Sequence, residues 1–95
     1  MRTRVVIEEQ VWLFIRRQPP ATRKRLREAL DAIENGKSFP EPLEDELEGF
    51  YKFKVDAIRM IIKSEPGDSG PLFKVVFAER RKAVYELFSQ ILGLE

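Results

Sequence analysis

Neither cysteine nor histidine occurs in this 95-residue chain. Without cysteine there is no disulfide, no thiolate nucleophile and no zinc finger. Without histidine the usual general base, the commonest metal ligand and every imidazole-containing triad are excluded. Catalysis, where there is any, must use Lys, Arg, Tyr, Asp or Glu. No apolar run approaches the roughly 20 residues that span a bilayer, and Met1-Arg2-Thr3-Arg4 has no signal-peptide core. The expectation is a cytoplasmic protein with no membrane partner. With 43% hydrophobic and 35% charged residues the composition is that of an ordinary globular protein, and the length suits one domain, residues 1–95.

The net charge is only +1, yet the charges are segregated along the chain. Residues 2–27 carry eight Arg/Lys against Glu8 and Glu9. Residues 28–50 carry Lys37 against Glu28, Asp31, Glu34, Glu41, Glu44, Asp45, Glu46 and Glu48. Residues 51–82 return to eight Arg/Lys against Asp56, Glu65, Asp68 and Glu79. Charge runs are usually solvated faces. Two basic blocks around an acidic one also suit a cationic concavity for a polyanion.

Arg4–Ile7 is short and β-branched, and reads as a first or edge strand. Val11, Phe14 and Ile15 recur at helical spacing over 8–17, with Trp12 beside them, and core packing is the expectation for Trp12 and Phe14. Gln18-Pro19-Pro20 stops that helix. Leu26, Ala29, Leu30 and Ile33 stripe a second helix over 22–34, closed by Asn35-Gly36. Residues 37–48 contain proline and much acid, hence a loop whose carboxylates are solvated and lack EF-hand spacing. Three strands follow, 50–55, 58–63 and 72–78, the last with Phe73, Val75 and Phe77 on one phase. Residues 64–71, rich in Pro, Gly, Asp and Ser, read as a mobile hairpin loop. Val84, Leu87, Phe88, Ile91 and Leu92 form the apolar stripe of a closing helix.

The order β-α-α-β-β-β-α defines an α+β protein with a small antiparallel-rich sheet packed on an N-terminal helical hairpin. One face of the sheet buries the hairpin. The other carries Lys52, Lys54 and Arg59, which share the polar phase of adjacent strands.

Two blocks of residues carry a family resemblance. One is Leu47-Glu48-Gly49-Phe50-Tyr51-Lys52-Phe53-Lys54-Val55 followed by Ile58-Arg59-Met60-Ile61-Ile62. The other runs from Val75-Val76-Phe77-Ala78-Glu79 through Arg80-Arg81-Lys82-Ala83-Val84-Tyr85. In order and spacing, below a Pro-broken helical hairpin, they resemble the RelE/ParE superfamily, the toxins of type II toxin–antitoxin systems. The resemblance spans nearly the whole chain. It implies a toxin and a cognate antitoxin protein as partner, with operator DNA contacted only through the antitoxin complex. The RelE-like branch, which cuts messenger RNA in the ribosomal A site, is favoured. On that branch Lys52, Lys54, Arg59 and Tyr85 match catalytic positions, and Arg80 and Arg81 match basic, phosphate-binding ones. One gap-free placement instead puts Glu79 where the family has a catalytic arginine.

The chemistry suits those residue types. Cleavage requires attack of a ribose 2′-oxygen on the adjacent phosphate, helped by a base, by charge stabilisation and by an acid at the leaving oxygen. Arginine clamps phosphate through two parallel hydrogen bonds. Lysine transfers protons where neighbouring cations disfavour its charged form. Lys52 and Lys54 stand roughly 7 Å apart on one strand face. Tyr85 suits stacking on a base or polarising the 2′-hydroxyl. No cofactor or metal is implied.

Plainer readings stand beside these. Alternate lysines commonly protect a solvent-facing sheet, Arg59 suits a surface ion pair with Asp56 or Glu48, and Tyr85 suits a core-edge aromatic. Three functions remain open. One is a ribosome-dependent mRNA endoribonuclease, metal-independent, acting with ribosome and mRNA as partners. Another is a non-enzymatic, ParE-like inhibitor of DNA gyrase. The third is an inactive relic that only binds its antitoxin. The cationic set favours the nuclease, whereas a net charge of +1 is low for a ribosome binder.

Overall fold

A computed structural model describes residues 4–68, 70–80, 88 and 90–93. Strand β1 (Arg4–Ile7) leads into helices α1 (Glu9–Arg16) and α2 (Pro20–Glu34). A two-residue strand β2 (Glu41–Pro42) and a single 3-10 turn (Asp45–Leu47) precede β3 (Phe50–Val55), β4 (Ile58–Gly67) and β5 (Gly70–Glu79). The five strands form one sheet in the order β1-β5-β4-β3-β2. Only β1 and β5 run parallel; every other pair is antiparallel. Helical backbone returns at Phe88 and at 90–92. The α+β architecture expected from the sequence is therefore present.

The helices form where apolar spacing and chain punctuation agree. Val11 and Ile15 are the buried pair of α1, while Thr22, Leu26, Leu30 and Ile33 make the buried stripe of α2. Pro20 takes the first turn of α2, where its missing N–H costs nothing. At the other end Gly36 adopts φ 74°, its N–H reaches Ile33 O at 3.1 Å, and Lys37 N–H reaches Ala32 O at 2.8 Å. Those two bonds close a Schellman motif. The helical hairpin then packs on Val55, Ile58, Met60, Ile62 and Val75, all buried, with Tyr51, Phe53 and Phe73 at the margin. Each such aliphatic side chain contributes about 1.5–3 kcal/mol through removal from water.

Several expectations need correction. Residues 64–71 are not a loop: β4 and β5 stay paired to Gly67↔Gly70. Pro66 lies opposite Pro71, so both missing donors fall on one rung of the ladder. At the tip, a Cβ on Gly67 would sit 2.6 Å from Gly70 O, which explains the glycine. The stretch 37–48 contains β2, pairing Glu41 with Lys52 and Pro42 with Tyr51.

A bulge between Ile61 and Ile62 sets Ile61 opposite Phe77 but Ile62 opposite Val75. The unmatched Val76 and its neighbour Phe77 both reach the side of the sheet away from the hairpin. Phe77 therefore does not share a face with Phe73 and Val75, while Ala78 takes the hairpin side. Trp12 is 51% exposed and is not a core residue. Phe88 is buried, but Ile91 and Leu92 are exposed, so the closing apolar stripe is only partly used. Val84 and Leu87 lie outside the described residues.

Candidate nucleic-acid interface

The side of the sheet away from the hairpin is divided in two by an apolar cluster. Ile61 and Phe88 are buried there, with Phe50, Val76, Phe77, Leu43 and Leu47 around them. Phe88 meets Phe50 edge-on, ring centroids 5.1 Å apart, and Phe77 at 5.8 Å. Along β4 the order Arg59, Ile61, Lys63 places one cation on either side of this cluster.

At the Lys63 end, opposite charges are matched. Lys63 faces Lys74 across β4 and β5. Each has a carboxylate, Glu65 at 3.7 Å from Lys63 and Glu8 at 3.5 Å from Lys74.

The Arg59 end is different. Alternation on β3 puts Lys52 and Lys54 on this face, and the β3–β4 register sets Lys54 directly opposite Arg59. A two-residue turn, with Asp56 at φ 54°, makes that register tight. The Asp56 carboxylate pairs with Arg25 of α2, not with Arg59. Glu79 is Arg59's partner on β5, but its carboxylate accepts from the Arg80 backbone N–H at 2.8 Å. Lys52 is paired with Glu41, 3.6 Å away. Among the described residues neither Lys54 nor Arg59 has an ion pair. Two cations opposed without a carboxylate repel one another, and a bound anion would relieve that repulsion.

Together with Phe39, Glu41 and Phe53, the residues Lys52, Lys54 and Arg59 line an open cleft of about 440 Å³. The structure thus brings Lys52, Lys54 and Arg59 into one concavity. It directs Arg80 elsewhere: past the end of β5, the guanidinium binds Gln18 after α1. Tyr85 and Arg81 lie outside the described residues.

Sequence reasoning missed Glu41 and Phe39, because both sit in a stretch read as loop. The detectable signal was the isolated Phe39-Pro40 pair within an otherwise acidic run. It also missed a second concavity of about 830 Å³ on the hairpin side, where Trp12, Val5 and Ile7 meet α2. Arg16, Arg23, Lys24 and Arg27 rim that groove, gathering part of the first basic block.

Comparison with known proteins bears on the fold. No protein-family model matches the sequence, and no curated protein matches it significantly. Solved structures do match. A free-state mutant of E. coli toxin RelE, with two arginines changed to alanine, aligns at TM-score 0.68 and 18% identity, over 98% of this chain and 97% of that one. The RelBE2 toxin–antitoxin complex from Mycobacterium tuberculosis aligns at TM-score 0.67 and 16% identity, over 85% of this chain and 100% of that one. A YoeB/ParE toxin from Agrobacterium tumefaciens aligns at TM-score 0.59 and 14% identity, over 80% and 96% respectively. The chain has the fold of the RelE/ParE-type toxins. Its structural neighbours are the toxins of toxin–antitoxin systems.

Proposed function

We propose that this protein is the toxin of a toxin–antitoxin pair and that it cleaves ribosome-bound messenger RNA, with the Lys52–Lys54–Arg59 cleft as its phosphate site. The observation that carries the reading is the Lys54–Arg59 juxtaposition: two cations in direct register, neither ion-paired among the described residues, in an open cleft. In this reading the Arg59 guanidinium grips the scissile phosphate through two hydrogen bonds and stabilises the charge that builds on it. Attack by the 2′-oxygen breaks the bond from phosphorus to the 5′-oxygen, leaving a 2′,3′-cyclic phosphate and a free 5′-hydroxyl. Lys54 and Lys52 are assigned the proton transfers at the attacking and leaving oxygens, and Tyr85 is assigned to the same substrate. Arg80 and Arg81 extend the phosphate contacts, Arg80 after leaving Gln18.

The 440 Å³ volume suits about one nucleotide, so the remaining alignment of the strand falls to the ribosome. An antitoxin is the partner that silences the toxin, and its action would be in the cytoplasm. The test is expression in a translating extract with mapping of messenger RNA 5′ ends. Cuts carrying a 5′-hydroxyl, present only when ribosomes engage the message, support the assignment. Intact message with arrested DNA supercoiling would replace it by gyrase inhibition.

A further inference from the structure

Phe39 is the most exposed large apolar side chain among the described residues, at 75%. Single exposed apolar residues are ordinary on protein surfaces and by themselves mean nothing. Two observations set this one apart. The first is position: it lines the same cleft as Lys52, Lys54 and Arg59. The second is that the backbone holding it is fixed on both sides. Upstream, Lys37 and Ser38 N–H both bond Ala32 O, at 2.8 and 3.2 Å, tying the segment to the end of α2. Downstream, Pro40 is buried and Glu41 pairs in register with Lys52. The ring is thus presented outward by an ordered support.

We infer that Phe39 is the base-stacking platform of the cleft, holding the nucleobase of the RNA residue whose phosphate meets Lys54 and Arg59. The inference rests on the RNA-directed reading above and specifies how the strand is held. Cations bind the backbone without regard to base, whereas an aromatic face fixes the base plane and so the rotation of its ribose. The 2′-oxygen direction depends on that rotation. Phe39 is therefore a substrate-positioning residue, and it biases cleavage toward positions whose base stacks strongly, purines over pyrimidines. The Glu41–Lys52 ion pair, at 3.6 Å, belongs to the same cleft.

The test uses a short oligoribonucleotide carrying one 2-aminopurine and 2′-O-methylated to block cleavage. Stacking quenches its fluorescence, and anisotropy reports total binding. Wild-type protein is expected to quench the probe; Phe39→Ala should abolish the quench and weaken binding about tenfold. Phe39→Trp should restore both. Phe39→Leu, which keeps apolar area without a π face, should not. An unchanged thermal midpoint in all three, expected for so exposed a residue, removes a folding explanation. If wild type binds, Lys54→Ala weakens binding and Phe39→Ala does not, the stacking role is wrong and the phosphate site stands. If wild type neither binds the probe nor cuts message in a translating extract, both readings are wrong.

Discussion

Arg80 and Gln18 are joined by two hydrogen bonds to one amide oxygen, Nε at 3.1 Å and Nη2 at 2.8 Å. The pair ties the end of β5 to the turn between the two helices, across 62 residues of sequence. Alternation explains why: Glu79 shares the face of Arg59, so the next side chain turns toward the hairpin. In a double-mutant cycle, Arg80→Ala and Gln18→Ala should therefore be coupled. The contact is solvent-exposed, so the coupling should lie near about 0.5 kcal/mol, the low end for a hydrogen bond. Strictly additive effects on denaturant midpoints would show that the contact does not form in solution.

The apolar cluster that divides the sheet face should behave as core. Phe88→Ala and Ile61→Ala remove side chains that are 4% and 0% exposed, and each should cost about 2–5 kcal/mol. Because Phe88 seats on Ile61, the double variant should cost less than the two singles together. Chemical denaturation measures this. Losses under about 0.5 kcal/mol would mean that Phe88 is not seated on the sheet.

The β4–β5 hairpin should be ordered to its tip. Gly67→Ala sets a Cβ 2.6 Å from Gly70 O, backbone that cannot move without breaking the turn, and should destabilise by about 1 kcal/mol or more. Amide exchange along 64–72 should show protection continuous with the rest of β4 and β5. Free exchange there would restore the reading of a mobile loop.

RNA binding should depend on salt through counterion release. For a single strand each cation in contact contributes about 0.7 to the log–log slope. Lys54→Ala and Arg59→Ala should each lower the slope by about that amount. Lys63→Ala, at the charge-matched end of the face, should leave it unchanged. Equal effects at all three positions would indicate diffuse attraction with no defined phosphate site.

The sequence and the structure part company at identifiable places. The amphipathic stripes of α1 and α2 and the alternation on β3 were legible, because period 3.6 and period 2 are imposed by local geometry. The phase of β5 was not. One bulged residue moves Phe77 to the opposite face, and nothing in Val75-Val76-Phe77 marks the extra position. Ser64–Pro71 read as loop because Pro, Gly and Asp dominate turns; pairing the two prolines on one rung let the ladder continue regardless. Lys52, Lys54 and Arg59 were found by alternation. That Lys54 and Arg59 lack carboxylates, while Lys63 and Lys74 have them, depends on long-range register and could only be seen in three dimensions. Phe39 escaped for the same reason: its meaning comes from Glu41 pairing with Lys52.

The central claim is that the cleft holds a scissile phosphate between Lys54 and Arg59, and Arg59→Lys tests it most directly. The substitution keeps the charge and loses the planar fork, at a half-buried position where a shift beyond about 1.5 kcal/mol in stability is not expected. Cleavage of messenger RNA in a translating extract should fall by about 10²-fold or more, because transition-state contacts are lost while long-range attraction remains. DNA supercoiling measured on the same preparation should be unaffected by either protein. Wild-type cleavage by the folded Arg59→Lys variant, or arrested supercoiling with intact message, would contradict the account.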